Sequence, residues 1–329
     1  MDLLDAIVEQ HRRRARVDDR LPSLDRSCLS SLIESSVHDP AASVCAVRGA
    51  GGVAALAWPT VEHYPADSDK LAYYERDTGS AAALTLRETG GRCFDALSRL
   101  LERVEADWLA HGATGANLLW PCREVSIEPA LAEHGFVRDA CIAFKPLQGP
   151  ASVRSGIGPA FTVRAAAPAD EPVLLRLQEE VLAAHIPHSP FARRVPGVRA
   201  RFHDRLAEMW DRGAAVDDAP LVLVLEHRGQ ITAMTECFVR RQEVALDMVL
   251  PAGLYGYVNT FGVLPECRGG GAGRLLAESV EACLRSFGVE GLYLYYSYYN
   301  SGAMAFWSKL GYSPLWHTYQ RRDLAPPAR

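Results

Sequence analysis

Residues 254–273 read LYGYVNTFGV and then LPECRGGGAG, and this stretch decides how the rest of the chain is read. An aromatic, apolar run with strand character meets a glycine-crowded turn. The turn opens RLLAESVEACLRSFG (274–288), whose apolar residues Leu276, Val280, Cys283, Leu284 and Phe287 recur at helical spacing. A strand, a glycine turn and a helix N-terminus in that order present several backbone N–H groups, at the positive end of a helix dipole, to an anion. The pyrophosphate of a coenzyme is the anion this arrangement suits.

Composition bounds what surrounds the turn. At 329 residues the chain is long for one core, and two domains are expected. A formal charge of −5 gives no basic excess for nucleic acid. The eight cysteines contain no CxxC pair, which points to reduced thiols and away from disulfides or a metal. The N-terminal MDLLDAIVEQHRRRARVDD is a charged amphipathic helix without the apolar core of a signal peptide, and no run reaches the ~18 apolar residues of a membrane span. These features predict a cytoplasmic protein, monomer or homodimer, with neither nucleic acid nor membrane as partner. The basic run His11–Arg16 reads as a solvated helix face.

Outward from the turn, the pattern alternates strands and helices. Residues 43–60 form a hairpin turning at Gly49–Gly52. A loop of Asp, Pro and Tyr follows (HYPADSDKLAYYERD, 63–77), acidic enough to suit a cationic amine. A strand near 81–86, a helix over 94–111, the strand GANLLWP, a short helix closed at Gly135 and a strand from Val137 complete the first half. The Gly-, Pro- and Ser-rich segment 148–160 is the linker. Past it come the strand FTVRAA, a helix capped by Asp170, a helix over 198–212, a hairpin turning at Arg228–Gly229, the opening strand, its turn and helix, the strand GLYLYYS, a short helix stopped at Gly311, and a last strand. The halves rhyme: each ends helix, strand, short helix closed by HGF or LGY, strand. Duplication of one α/β (α+β) domain follows: two tandem copies over 1–147 and 161–329, each a mixed, mostly antiparallel sheet flanked by helices. In the first copy the segment TLRETGGRC (85–93) lacks the arginine and the second glycine pair, so one coenzyme per chain is expected.

Alone, the pattern Arg268-x-x-Gly271-x-Gly273 is weak, since chance supplies such a hexad in roughly a third of chains this long. Its context is specific. It follows a strand ending Val263-x-Pro265, and a strand and then Asn300-x-x-Ala303-x-x-Phe306-Trp307-x-x-x-Gly311-Tyr312 come after its helix. The combination resembles the GNAT superfamily of acyl-CoA N-acyltransferases, clearly over residues 160–322 and as a degenerate copy over 43–147. The resemblance implies acetyl-CoA or another acyl-CoA as co-substrate, and transfer of the acyl group to a primary amine of a small molecule or peptide by direct attack, without a metal. It implies that the backbone of Gly269, Gly270, Gly271, Ala272, Gly273 and Arg274 wraps the pyrophosphate, with charge from Arg268 and Arg274. It also implies that Phe261, Gly262 and Val263 leave main-chain groups for the pantetheine arm, and that Asn300, Ala303, Phe306 and Trp307 form the facing wall.

The proton-transfer residues depart from the family pattern. The family's thiolate-protonating tyrosine is replaced here by Trp307, whose indole is a far poorer acid. Tyr295, Tyr296, Tyr298, Tyr299 and Tyr312 are nearby substitutes, with Tyr299 the first choice. The family's glutamate falls near Tyr257, which stands as a candidate beside Glu236, Asp247, His185 and His188. A non-catalytic acyl-CoA-binding protein is the alternative that these departures leave open.

Overall fold

The computed structural model describes residues 3–37, 43–87, 91–124, 126–147, 161–212 and 218–324. The predicted linker 148–160 and part of the first copy's turn, 88–90, lie outside them. The first half runs α1 (Leu3–Val17), α2 (Arg26–Val37), β1 (Cys45–Gly49), β2 (Gly52–His63), β3 (Asp77–Leu86), α3 (Gly91–Ala110), β4 (Gly115–Pro121), α4 (Glu128–Glu133) and β5 (Val137–Pro146). The second runs β6 (Phe161–Ala165), α5 (Glu171–His185), α6 (Pro196–Arg212), β7 (Pro220–His227), β8 (Gln230–Gln242), β9 (Gly253–Val263), α7 (Ala272–Arg285), β10 (Gly291–Ser297), α8 (Ser301–Lys309) and β11 (Ser313–Arg322). No helix among the described residues is long and apolar enough to cross a membrane.

The strands join in one 11-stranded sheet, ordered β1-β2-β3-β4-β11-β5-β10-β9-β8-β7-β6. Only β3–β4 and β9–β10 are parallel, so the sheet is mixed and mostly antiparallel as expected. The order holds something the sequence did not predict. Strand β11 pairs with β4 of the first half, and β5 pairs with β10 of the second. Each half thus lends its last strand to the other, and β5 and β11 lie side by side at the centre.

Both halves are layered alike. Helix α3 puts Leu97, Leu100, Leu101, Val104 and Trp108 on one face of its strands, all at most 1% exposed. Helix α7 does the same with Leu276, Val280 and Leu284. Each fully buried side chain of this size contributes about 1.5–3 kcal/mol. The opposite face is covered by α1 and α2 in the first half and by α5 and α6 in the second. The β7–β8 hairpin turns where predicted: Arg228 (φ 52°) and Gly229 (φ 78°) both take the left-handed conformation that matches strand twist.

Three local expectations are corrected. Asp170 does not cap α5 with its side chain, because its carboxylate is held by Arg164 (2.6 and 2.9 Å) and the Ala167 N–H (2.7 Å). The acidic loop is not a free surface: Asp67, Asp69 and Glu75 pair with Arg201 (2.6 Å), Arg205 (2.7 Å) and Arg193 (2.9 Å), tying the first half to α6 and the segment before it. The basic run of α1 is not wholly solvated either. His11 and Arg14 are buried, and Arg14 ion-pairs with Glu124 at 3.0 Å.

Candidate active site

The site begins at an irregularity in β9. This strand pairs with β10 only from Tyr255 opposite Gly291 to Val258 opposite Leu294. On its other edge, Val258 faces Cys237 and Thr260 faces Glu236, so Asn259 is an extra residue, a β-bulge. A bulge bends the strand that carries it. Beyond it Thr260–Val263 stay on β8 while Tyr295–Ser297 of β10 stay on β5, and the two strands part. The edges that face each other across this gap carry backbone N–H and C=O groups turned toward a cleft of about 1170 Å³.

The glycine turn closes one end of the cleft. Gly269 (φ 84°) and Gly271 (φ 89°) adopt the left-handed conformation, which glycine takes without strain. Gly271 caps α7 with no side chain, and the first helical bond is Leu275 N–H to Gly271 O at 3.0 Å. The N–H groups of Ala272, Gly273 and Arg274 therefore precede any intrahelical acceptor and remain for an anion. Arg268 folds back, its Nε donating to the Val263 carbonyl at 2.9 Å. The positions Phe261, Gly262, Val263, Arg268, Gly269, Gly271, Gly273, Arg274, Asn300, Ala303, Phe306 and Trp307 all line the cleft. Gly270 and Ala272 do not, and Ala272 is 1% exposed beneath the helix start.

Several of these residues have structural duties as well. A Cβ on Gly262 would lie 2.3 Å from Cγ2 of Val181, so this glycine makes room for α5 as much as for a ligand. Asn300 caps α8, its Oδ1 accepting the Ala303 N–H at 2.9 Å. Trp307, 7% exposed, packs on Phe261 (5.0 Å between ring centroids), Phe306 (4.9 Å) and Tyr312 (5.1 Å). It is a structural residue of this wall.

The first-choice catalytic residues stand apart from the cleft. Tyr257 stacks on Tyr293 (4.8 Å) and its hydroxyl donates to Asn259 Oδ1 at 2.9 Å. Burial, reinforced by Tyr295 and Tyr293, pushes its phenol well above the usual range, which makes it a poor base at the expected position. Glu236 is fully buried, with its carboxylate bound by Arg205 (2.6 Å) and by Asn259 Nδ2 (2.6 Å). It touches the cleft only through Asn259, and so positions that residue. Tyr299 is half exposed, its ring edge-on to Tyr298, outside the cleft wall. Tyr298, Tyr312 and Asp247 are outside it too, while Tyr295, Tyr296, His185 and His188 line it. Burial and the neighbouring His188 lower the pKa of His185, which favours a neutral imidazole. Arg176, Leu177, Glu180 and Val181 of α5 also reach the cleft. In the sequence they form part of an ordinary amphipathic stripe, and no motif marks them.

The first half carries the same split without the same opening. Strands β3 and β4 pair only over Thr78–Ser80 with Gly115–Asn117 and then part. Helix α1 covers the freed edge of β3. Arg14 donates to the Leu84 carbonyl (3.0 Å), Arg13 to the Leu86 carbonyl (2.6 Å), and Gln10 Oε1 accepts the Leu86 N–H (2.8 Å). The backbone groups that a ligand would use there are already taken.

Comparison with known proteins follows this geometry. Residues 185–312 match the model of the Acetyltransferase (GNAT) family. A GCN5-related N-acetyltransferase from Sphaerobacter thermophilus superposes with a TM-score of 0.58 at 16% identity, over 99% of this chain and 93% of its own. The glucosamine N-acetyltransferase region of a fungal multi-domain GH3 β-N-acetylglucosaminidase gives 0.51 at 14% identity, over 97% of this chain and 37% of that one. A tandem GNAT protein from the clavulanic acid biosynthesis pathway gives 0.49 at 15% identity, over 98% and 96%. No match emerges among curated proteins. The family match over residues 185–312 supports acyl transfer in general.

Proposed function

We propose that this protein transfers an acetyl group from acetyl-CoA to a primary amine of a small molecule or peptide, using one coenzyme site in its second half. The observation that carries this reading is the meeting, in one cleft, of a bulged, parted strand pair with a glycine turn whose N–H groups have no intrahelical acceptor. The turn and first-turn amides of α7 would hold the pyrophosphate, and the freed edge of β9 would pair with the pantetheine arm. Bound acetyl-CoA supplies a thioester carbonyl open to attack.

The chain's own groups then have three tasks. A backbone N–H of the parted β9 edge holds the developing oxyanion. His185, held neutral in the cleft wall, removes the proton from the attacking amine. Tyr295, with 40% of its surface exposed along the wall, gives a proton to the leaving thiolate. Tyr296 is less suited, because its hydroxyl is engaged with Cys141. The copies over 1–147 and 161–329 share this architecture, the first serving as a scaffold that lends β5 and the docked 63–77 loop.

Release of free coenzyme A thiol from acetyl-CoA, measured across a panel of amines, amino acids and peptides, tests the proposal. Turnover on at least one amine is expected. Tight binding of the coenzyme with no turnover on any acceptor would overturn it in favour of a non-catalytic acyl-CoA-binding protein.

A further inference from the structure

At the centre of the sheet, where the halves exchange their last strands, three soft ligands converge. Cys122 follows the end of β4, Cys141 lies on β5, and His317 lies on β11 directly opposite Cys141. One ligand atom from each lies within 4.8 Å of the others. We propose that Cys122, Cys141 and His317 form a zinc site that pins the exchanged strands together.

Geometry supports the assignment. Tetrahedral zinc with bonds of ~2.3 Å to sulfur and ~2.0 Å to nitrogen sets sulfur atoms about 3.8 Å apart and sulfur and nitrogen about 3.5 Å apart. Side-chain shifts of about 1 Å or less close the observed cluster to those separations. Charge supports it as well. Two thiolates neutralise a divalent ion, so the complex adds no net charge to a partly buried position. One ring nitrogen is uncommitted: the buried Nδ1 of His317 has no hydrogen-bond partner in the described structure, and ring-edge contacts with Tyr298 (5.6 Å) and Tyr319 (6.3 Å) orient the ring. Access is open, since Cys141 is buried while Cys122 and His317 are half-buried. On binding, the two S–H protons leave to solvent, both sulfurs and one imidazole nitrogen bond the metal, and water takes the fourth position.

The site lies beside the cleft without being part of it. Tyr296 bridges the two, with its hydroxyl at Cys141 and its side chain on the cleft wall. The proposal rests on the cluster alone and stands whether or not the chain transfers acyl groups. Reduced, metal-stripped full-length protein titrated with Co²⁺ tests it. One equivalent should produce thiolate-to-cobalt charge-transfer absorption with intense tetrahedral ligand-field bands. Zn²⁺ should bleach both by displacing Co²⁺, and Zn²⁺ added instead to the metal-stripped protein should release two protons per ion. C122S and C141S should each lose the charge-transfer band or weaken zinc binding more than about 100-fold, and H317A should weaken it at least about 10-fold. Melting curves in EDTA establish that each variant folds, and C122S, at the end of its strand, decides the outcome if C141S does not. Absence of the band in reduced wild-type protein, its persistence in C122S/C141S, or closure of a Cys122–Cys141 disulfide with no metal uptake would each overturn the assignment.

Discussion

Replacing Arg14 by alanine tests whether α1 seals the first half. The side chain is 8% exposed and its partner Glu124 5%, with 3.0 Å between Nε and Oε2. The guanidinium also donates to the Leu84 carbonyl and lies over Trp120 (4.9 Å) and Trp316 (5.7 Å). Removing one partner of a buried pair costs about 3–5 kcal/mol when the other charge stays behind in a dry site, and Glu124 would keep only Arg13, 29% exposed and 3.7 Å away. The stranded carbonyl adds about 1–3 kcal/mol if water does not reach it, and since these costs overlap, about 4 kcal/mol is expected for R14A. Against a usual stability of about 5–15 kcal/mol this is a large shift, and urea denaturation followed by far-ultraviolet circular dichroism will show it as a lower midpoint. The double variant R14M/E124L, which replaces the pair with apolar side chains, should recover most of the loss. A cost below about 1 kcal/mol for R14A, the value of an exposed ion pair, would refute the seal. Coenzyme stoichiometry should stay at one in every variant, since the first half lacks the glycine turn.

Other expectations concern protons and the cradle. Burial, reinforced by Arg14, lowers the His11 pKa to about 4. The unfolded chain therefore takes up a proton that the native state refuses, and stability falls as pH drops from about 6.5 to about 4, by roughly 3 kcal/mol at the acid end; urea midpoints of the wild type and H11N across that range should converge. Gly271→Ala forces a Cβ into a left-handed residue (φ 89°) at a cost of about 1–2 kcal/mol and should raise the coenzyme A Kd at least about 10-fold by calorimetry. Gly270→Ala, where an added Cβ meets nothing within 4 Å, should leave the fold intact, and unchanged affinity in G271A would remove the cradle from the argument. His185→Gln should lower kcat/KM about 100-fold and abolish the acid limb of the pH–rate profile, which in the wild type falls below the ordinary histidine range because the His185 pKa is lowered; an unshifted profile would exclude this base. Tyr295→Phe should slow turnover with little change in KM, and equal rates would assign thiolate protonation to water.

The glycine-turn half of the cleft was legible in the sequence because its determinants are local. Glycines at 269 and 271 announce left-handed backbone, and the helix after them announces its own N-terminus. The surroundings of the candidate acids and bases were not, because they depend on contacts between distant segments. Tyr257 occupies the right register for a base, yet three aromatic neighbours and Asn259 decide its chemistry. Glu236 read equally well as a base or a solvent-facing residue, until Arg205, 31 positions away, proved to hold it. Arg14 looked solvated because nothing near it in sequence reveals a carboxylate 110 positions on.

The strand exchange was hidden for a related reason. Strands β5 and β11 follow equivalent short helices in equivalent halves, so pairing at home and pairing across leave the same local pattern. Register is set by side chains meeting across the sheet, and those partners become visible only in three dimensions. Once the exchange is in place, the halves cannot act as independent units. The wall of the cleft on β10 is backed by β5 from the other half, so mutations in β5 should reach a site that the sequence places wholly in the second half.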